Sequence, residues 1–187
     1  MTITNSSFHD IDNSAVITRG GTLLATAKGN TMQADLTPVQ WSSAGSLTAN
    51  VINGGYISIS VNSPVTVSGN TIAGAPYGIV AYGGVTATSN KISNASTGIF
   101  DLGGGNTYKS NAITKVGVGI DFNCQSPSPT ALSNTINDAT TGLDRVPSSF
   151  SGANSFNNVV TLRGDGCGFR PTPPAARPSG PLRAPVH

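Results

Sequence analysis

The chain has 187 residues, enough for one domain with a sizeable core, yet only 10% of them are charged. All eight acidic residues are Asp, the formal net charge is +2, and 23 Gly and 12 Pro leave few good helix formers. This composition excludes long helices, a basic nucleic-acid-binding stripe and an apolar run long enough to span a membrane. A β-rich chain with many turns is the expectation.

The N-terminal stretch "MTITNSSFHDIDNS" has no signal-peptide pattern. It reads as the first, poorer copy of a repeat that becomes clear at "KGNTM" and continues through "TANVI", "SGNTI", "TSNKI", "KSNAI", "LSNTI" and "GANSF". The asparagines are Asn30, Asn50, Asn70, Asn90, Asn111, Asn134 and Asn154, at spacings of 20 to 23 residues. Two positions after each comes a large apolar residue, as at Ile52, Ile72, Ile92, Ile113 and Ile136. Before each Asn, apolar and hydroxyl residues alternate, as in Val65-Thr66-Val67-Ser68, which is strand periodicity. A second apolar mark, Ile59, Ile79, Ile99, Ile120 and Leu143, usually follows a Gly.

A 20-residue unit of this kind cannot bury its own apolar face, so coils must stack, each strand bonded to its counterpart above and below. Each Asn is then expected at a tight bend, its amide bonded to the amides of neighbouring coils. At ~4.8 Å per coil the section from Asn30 to Asn154 is a rod about 30 Å long. The predicted fold is all-β, a parallel β-helix of seven or eight coils over residues 1–165. Residues 166–187 form a Pro-rich tail with the composition of a disordered segment.

The repeated Asn-x-Ile and Gly-Ile elements resemble the right-handed parallel β-helix family, the pectin-lyase-like group with its asparagine ladder. That group includes lyases, glycosidases, tailspikes and surface adhesins. The resemblance implies a secreted or surface protein whose partner is a polysaccharide or cell-surface glycan, with calcium as a cofactor if it is a lyase. Family members usually cap the first coil with a helix, and none precedes "MTITNSSF"; the expectation is a C-terminal part of a longer rod, or a homo-oligomer covering the open first coil.

The candidate chemistry is acidic. Asp121 in "GIDF" and Asp144 in "GLDR" fall one residue after the Gly-Ile or Gly-Leu mark, so the pleat should place them outward in one column, ~5 Å apart. Asp101 in "GIFD" is shifted by one and is expected to join from the coil before, with Arg145 alongside. Such a group could work as acid and nucleophile on a glycoside, or bind a cation. It lacks the complete motifs of the family's enzymes, which favours a non-catalytic polar rod over a polysaccharide lyase or glycosidase. Tyr82, Lys115 and Asn123 are the substrate-binding candidates, and Tyr56, Tyr77 and Tyr108 offer further rings for sugars. His9, the only histidine besides His187, would have to serve any Ser-His-Asp triad.

Two cysteines, Cys124 and Cys167, have no metal-ligand spacing; a disulfide and two free thiols remain equally open. The hydroxyl column Thr26, Ser46, Thr66, Thr86, Thr107 and Thr130, with Thr48, Ser68 and Thr88 two residues along, resembles the ice-binding face of β-helical antifreeze proteins. Lys28 and Lys109 interrupt the second column. "RGD" at Arg163 to Asp165 is short enough to arise by chance.

Overall fold

A computed structural model describes residues 1–20, 24–125, 127, 129–147, 150, 152–164, 166 and 167. The tail from residue 168 onward, including His187, and Asp165 of the RGD tripeptide lie outside the described residues. Among those described, every element is a strand and every strand pair is parallel.

The first coil contributes β1 (Thr2–Thr4), β2 (Ser7–Ile11) and β3 (Val16–Thr18). The second has β4 (Ala25–Lys28), β5 (Thr31–Ala34) and β6 (Val39–Trp41), and the third β7 (Gly45–Thr48), β8 (Val51–Asn53) and β9 (Ile57–Val61). The fourth has β10 (Val65–Ser68), β11 (Thr71–Ala73) and β12 (Tyr77–Ala81). From the fifth coil on, the second and third strands run together: β13 (Val85–Thr88) with β14 (Lys91–Asp101), then β15 (Thr107–Lys109) with β16 (Ala112–Asp121). The seventh has β17 (Thr130–Leu132) and β18 (Thr135–Asp144), and β19 (Ser155–Arg163) closes the stack. The result is a parallel β-solenoid of about eight turns, as the repeat predicts.

The first strands of successive coils make a seven-stranded sheet, β1-β4-β7-β10-β13-β15-β17; the remaining twelve strands make a second sheet whose two arms merge at β14. Three in-register columns fill the interior. One runs Met32, Ile52, Ile72, Ile92, Ile113, Ile136, and another Val39, Ile59, Ile79, Ile99, Ile120, Leu143. All are buried, and each fully buried Ile is worth about 1.5–3 kcal/mol relative to exposure. The third column comes from the seven-stranded sheet: Ala27, Leu47, Val67, Ala87, Tyr108 and Ala131. The Gly before Ile79, Ile99 and Ile120 has a packing reason. A Cβ on Gly78 would stand 2.8 Å from Ile92 Cγ2 and 2.5 Å from the Gly98 carbonyl oxygen of the next coil.

The ladder has one bonding rule. Each Asn amide nitrogen donates to the Oδ1 of the Asn one coil on, at 2.8–3.0 Å from Asn30 through Asn134, and also to a carbonyl of the coil before. Each Oδ1 also accepts the backbone N–H of the preceding Asn. In the first coil the register places Ser6, not Asn5, opposite Asn30, and the Ser6 N–H bonds to Asn30 Oδ1 at 2.9 Å.

The bend geometry corrects one expectation. The left-handed backbone belongs to the residue before the ladder Asn: Asn5, Gly29, Ala49, Gly69, Ser89, Ser110 and Ser133 all have φ between 49° and 68°. The Asn itself is there to bond, and the small residue before it turns the chain. A second left-handed stack, Gly54, Gly74, Asn94, Lys115, Asp138 and Asn158, marks the bend inside the long strands.

Candidate functional site

The structure separates the acidic candidates. Asp121 and Asp144 are register partners at the ends of β16 and β18, in the outward column that the spacing predicts. Asp101 does not join them. The column before them holds Phe100, and Asp101 pairs with Ala81 on the inward face, where it is fully buried. A one-residue shift on a pleated strand reverses the side chain, so "GIFD" points in where "GIDF" points out.

Inside, Asp101 Oδ1 accepts from the Gly103 N–H (3.1 Å), the Gly104 N–H (2.8 Å) and Asn106 Nδ2 (3.1 Å), and Oδ2 accepts from the Tyr108 hydroxyl at 2.8 Å. These bonds hold the turn that joins the fifth and sixth coils. Tyr108 is also fully buried, so it is no sugar platform. Burial first, then the Asp101 charge and the bond to it, push its hydroxyl pKa well above the ordinary 10.0.

Outside, Arg145 donates from Nε to Asp121 Oδ1 at 2.8 Å and from Nη2 to Oδ2, a two-pronged ion pair. Those bonds raise the Arg145 pKa, with Asp144 adding a smaller electrostatic push. Nη1 reaches Asn123 Oδ1, and the Asn123 N–H donates to Asp121 Oδ1 at 2.9 Å. The cluster is thus Asp121, Asn123 and Arg145, with the Asp144 strand end beside it. A disulfide, Cys124 to Cys167, ties the adjoining insertion to the chain 43 residues later, with Cα atoms 5.2 Å apart. Closing that loop is worth about 4 kcal/mol in the chain-entropy picture.

The other candidates lie elsewhere. Lys115 is exposed at the second bend, six residues upstream of Asp121, and Tyr82 is 43% exposed outside the aromatic row. His9 is exposed in the first coil beside Asp10, about 24 Å along the axis from Asp121. Both Asp121 oxygens are engaged by Arg145, and among the described residues no three His, Cys or Asp side chains gather as a metal would need.

The sequence reading missed an aromatic row. Tyr56 and Tyr77 meet edge-to-face with centroids 5.6 Å apart, Tyr77 stacks on Phe100 at 5.5 Å, and the Arg145 guanidinium lies 5.4 Å over Phe100. The row climbs coils three, four and five to the charged cluster. Tyr56, its open end, is 55% exposed. Next to Tyr77 in the chain begins an open trough of about 490 Å³, lined by Gly74, Ala75, Pro76, Asn94, Ala95, Ser96 and Gly117.

No protein-family model matches this chain, and no curated protein or solved structure matches it. What fold and ladder define is a class: a disulfide-bearing parallel β-solenoid with a buried asparagine stack. Among the described residues no helix is long and apolar enough to cross a membrane.

Proposed function

We propose that this chain is a non-catalytic β-helix segment of a secreted or surface protein that binds polysaccharide along its polar flank, as the family resemblance implies. The observation that carries the reading is how the polar groups at the coil ends are used. Asp101 is sealed inside with four donors, and Asp121 is closed by Arg145 and Asn123, so these two carboxylates join coils to one another. Tyr56, exposed at the head of the aromatic row, supplies a ring for stacking on a sugar, with a shallow open trough beginning beside Tyr77. A disulfide suits an oxidising, extracellular compartment.

The test is binding to a panel of soluble neutral and acidic polysaccharides by affinity electrophoresis, with Tyr56→Ala beside wild type. Retardation that weakens about five- to tenfold in Tyr56→Ala supports the reading, since one stacked ring is worth on the order of 1–1.5 kcal/mol. Retardation by no glycan removes it.

A second reading, a polysaccharide lyase or glycosidase, is favoured by one observation: Asp121 and Asp144 are register partners beside the longest insertion. Cleavage of any panel member that disappears in Asp121→Asn/Asp144→Asn would replace the first reading with this one.

A further inference from the structure

Among the described residues β19 is paired on one side only, with β18, so the other edge of this nine-residue strand is open at the C-terminal end of the solenoid. The edge is apolar. Val160 is 84% and Leu162 55% exposed, Phe156 and Val159 are only half-buried, and Arg163 is the strand's one charge. Leu162 decides how another chain can approach. In coils four to seven the same position holds Gly78, Gly98, Gly119 and Gly142. A Cβ there would stand 2.6–2.8 Å from a side-chain atom of the next coil: Ile92, Ile113, Ile136 or Phe156. A side chain at this position therefore points along the axis, into the coil that follows. In the last coil that side chain is Leu162, which projects past the edge. A further coil stacked in the same sense would collide with it, whereas an antiparallel strand brings a different residue opposite.

We infer that β19 is a dimerisation edge whose occupant is β19 of a second copy, paired antiparallel about a two-fold axis through Val159. The strand is complementary to itself in that register, as a two-fold interface requires. Phe156 falls opposite the second copy's Leu162, and Leu162 opposite its Phe156, so each leucine covers a half-buried ring. Val159 meets its own copy on the axis. Arg163 falls opposite Ser155, which puts the two arginines at opposite ends of the paired strands, and no carboxylate stands on either. One coil has about twenty residues, the number per side in a standard specific interface, roughly 800 Å² per partner. The disulfide from Cys124 to Cys167 holds the chain just past β19 against the coil-six insertion, so the edge is in place before it pairs. Pairing also closes an edge that would otherwise recruit strands indiscriminately.

The test is sedimentation equilibrium of the purified full chain from low to high micromolar concentration, with hydrogen exchange read by mass spectrometry on the same samples. Leu162→Lys and Val160→Lys charge the edge at exposed positions, and Val51→Lys, 40% exposed on the flank, is the control. Circular dichroism and melting check that all three fold. The expected result is a reversible wild-type dimer whose dissociation constant rises at least about tenfold in both β19 variants and is unchanged in Val51→Lys. Amides of residues 155–163 should exchange more slowly as the dimer forms, and those of residues 2–18 should not. A monomer at every concentration overturns the inference, and so does an open series of larger species, which would mean that coils stack head to tail. A dimer indifferent to both β19 variants, or protection that appears at residues 2–18 instead, overturns it as well. Because Tyr56 lies on the flank, glycan binding and dimerisation fail or succeed separately.

Discussion

Asp101 and Asp121 stand at the same end of neighbouring coils, in "GIFD" and "GIDF", and they lead different lives. Asp101 is buried with four donors; Asp121 points outward but is covered by an arginine and is only 7% exposed. The difference of one residue is a difference of pleat parity, and parity decides the solvent around the carboxylate. Inside, the loss of one bond leaves donors stranded in a medium that offers no water. Outside, the covering arginine is itself partly exposed, so water can reach part of what is lost and the penalty is smaller.

The largest expected effect is on the inner side. Asp101→Ala should cost about 3–5 kcal/mol, because it strands two backbone N–H groups, an amide and a hydroxyl; denaturant unfolding with less than about 1 kcal/mol of change would break the comparison. Asn90→Ala tests the other buried polar system. It removes the acceptor of Asn70 and a donor to Asn111 and should cost about 1–3 kcal/mol, whereas wild-type stability would sink the ladder assignment.

Tyr108 supplies a pH readout of the inner network. Its folded pKa is raised, so the unfolded chain gives up the proton first; its contribution is whole below pH 10.0 and is lost as pH climbs above it. Stability should fall from about pH 10 upward by at most ~1.4 kcal/mol per pH unit from this group. Melting from pH 9 to 11 should show a shallower decline in Tyr108→Phe; parallel curves would remove Tyr108 from the alkaline limb.

Smaller effects belong to the outer side. Asp121→Asn should cost about 1–2 kcal/mol, since Asp121 is buried beneath Arg145 while much of the Arg145 side chain faces water; a loss as large as that of Asp101→Ala would erase the distinction between the two carboxylates. Smallest is Ala49→Gly. Ala49 holds φ at 52°, and relief of that strain against the added chain entropy of Gly should stabilise by roughly 0.5 kcal/mol. Destabilisation there would mean that the Ala49 methyl contributes packing that outweighs the strain.

Most of the fold was legible because stacking repeats one residue type at one position. The Asn90 side chain bonds to Asn70 and Asn111, and Ile92 stands in register with Ile72 and Ile113, so the columns write themselves into the chain at a spacing of about twenty. The same parity argument turned Asp121 and Asp144 outward correctly. Applied without exception to Asp101 and Tyr108 it would have turned both inward, but each is a single departure within its column, opposite Ala81 and Ala87, and a departure carries no periodic signal. The aromatic row was hidden for a related reason: Tyr77 and Phe100 touch across coils from different offsets in the repeat, so no alignment puts them together.

The sequence by itself therefore determined the coil, its inside and outside, and the ladder, because these rest on periodic burial and on groups satisfied by copies of themselves. Only the tertiary structure decided the bonds made once: Asp101 to Tyr108, Arg145 to Asp121, Cys124 to Cys167. Each joins residues of unlike type, and the side-chain geometry that brings them within reach exists only after the coils have stacked.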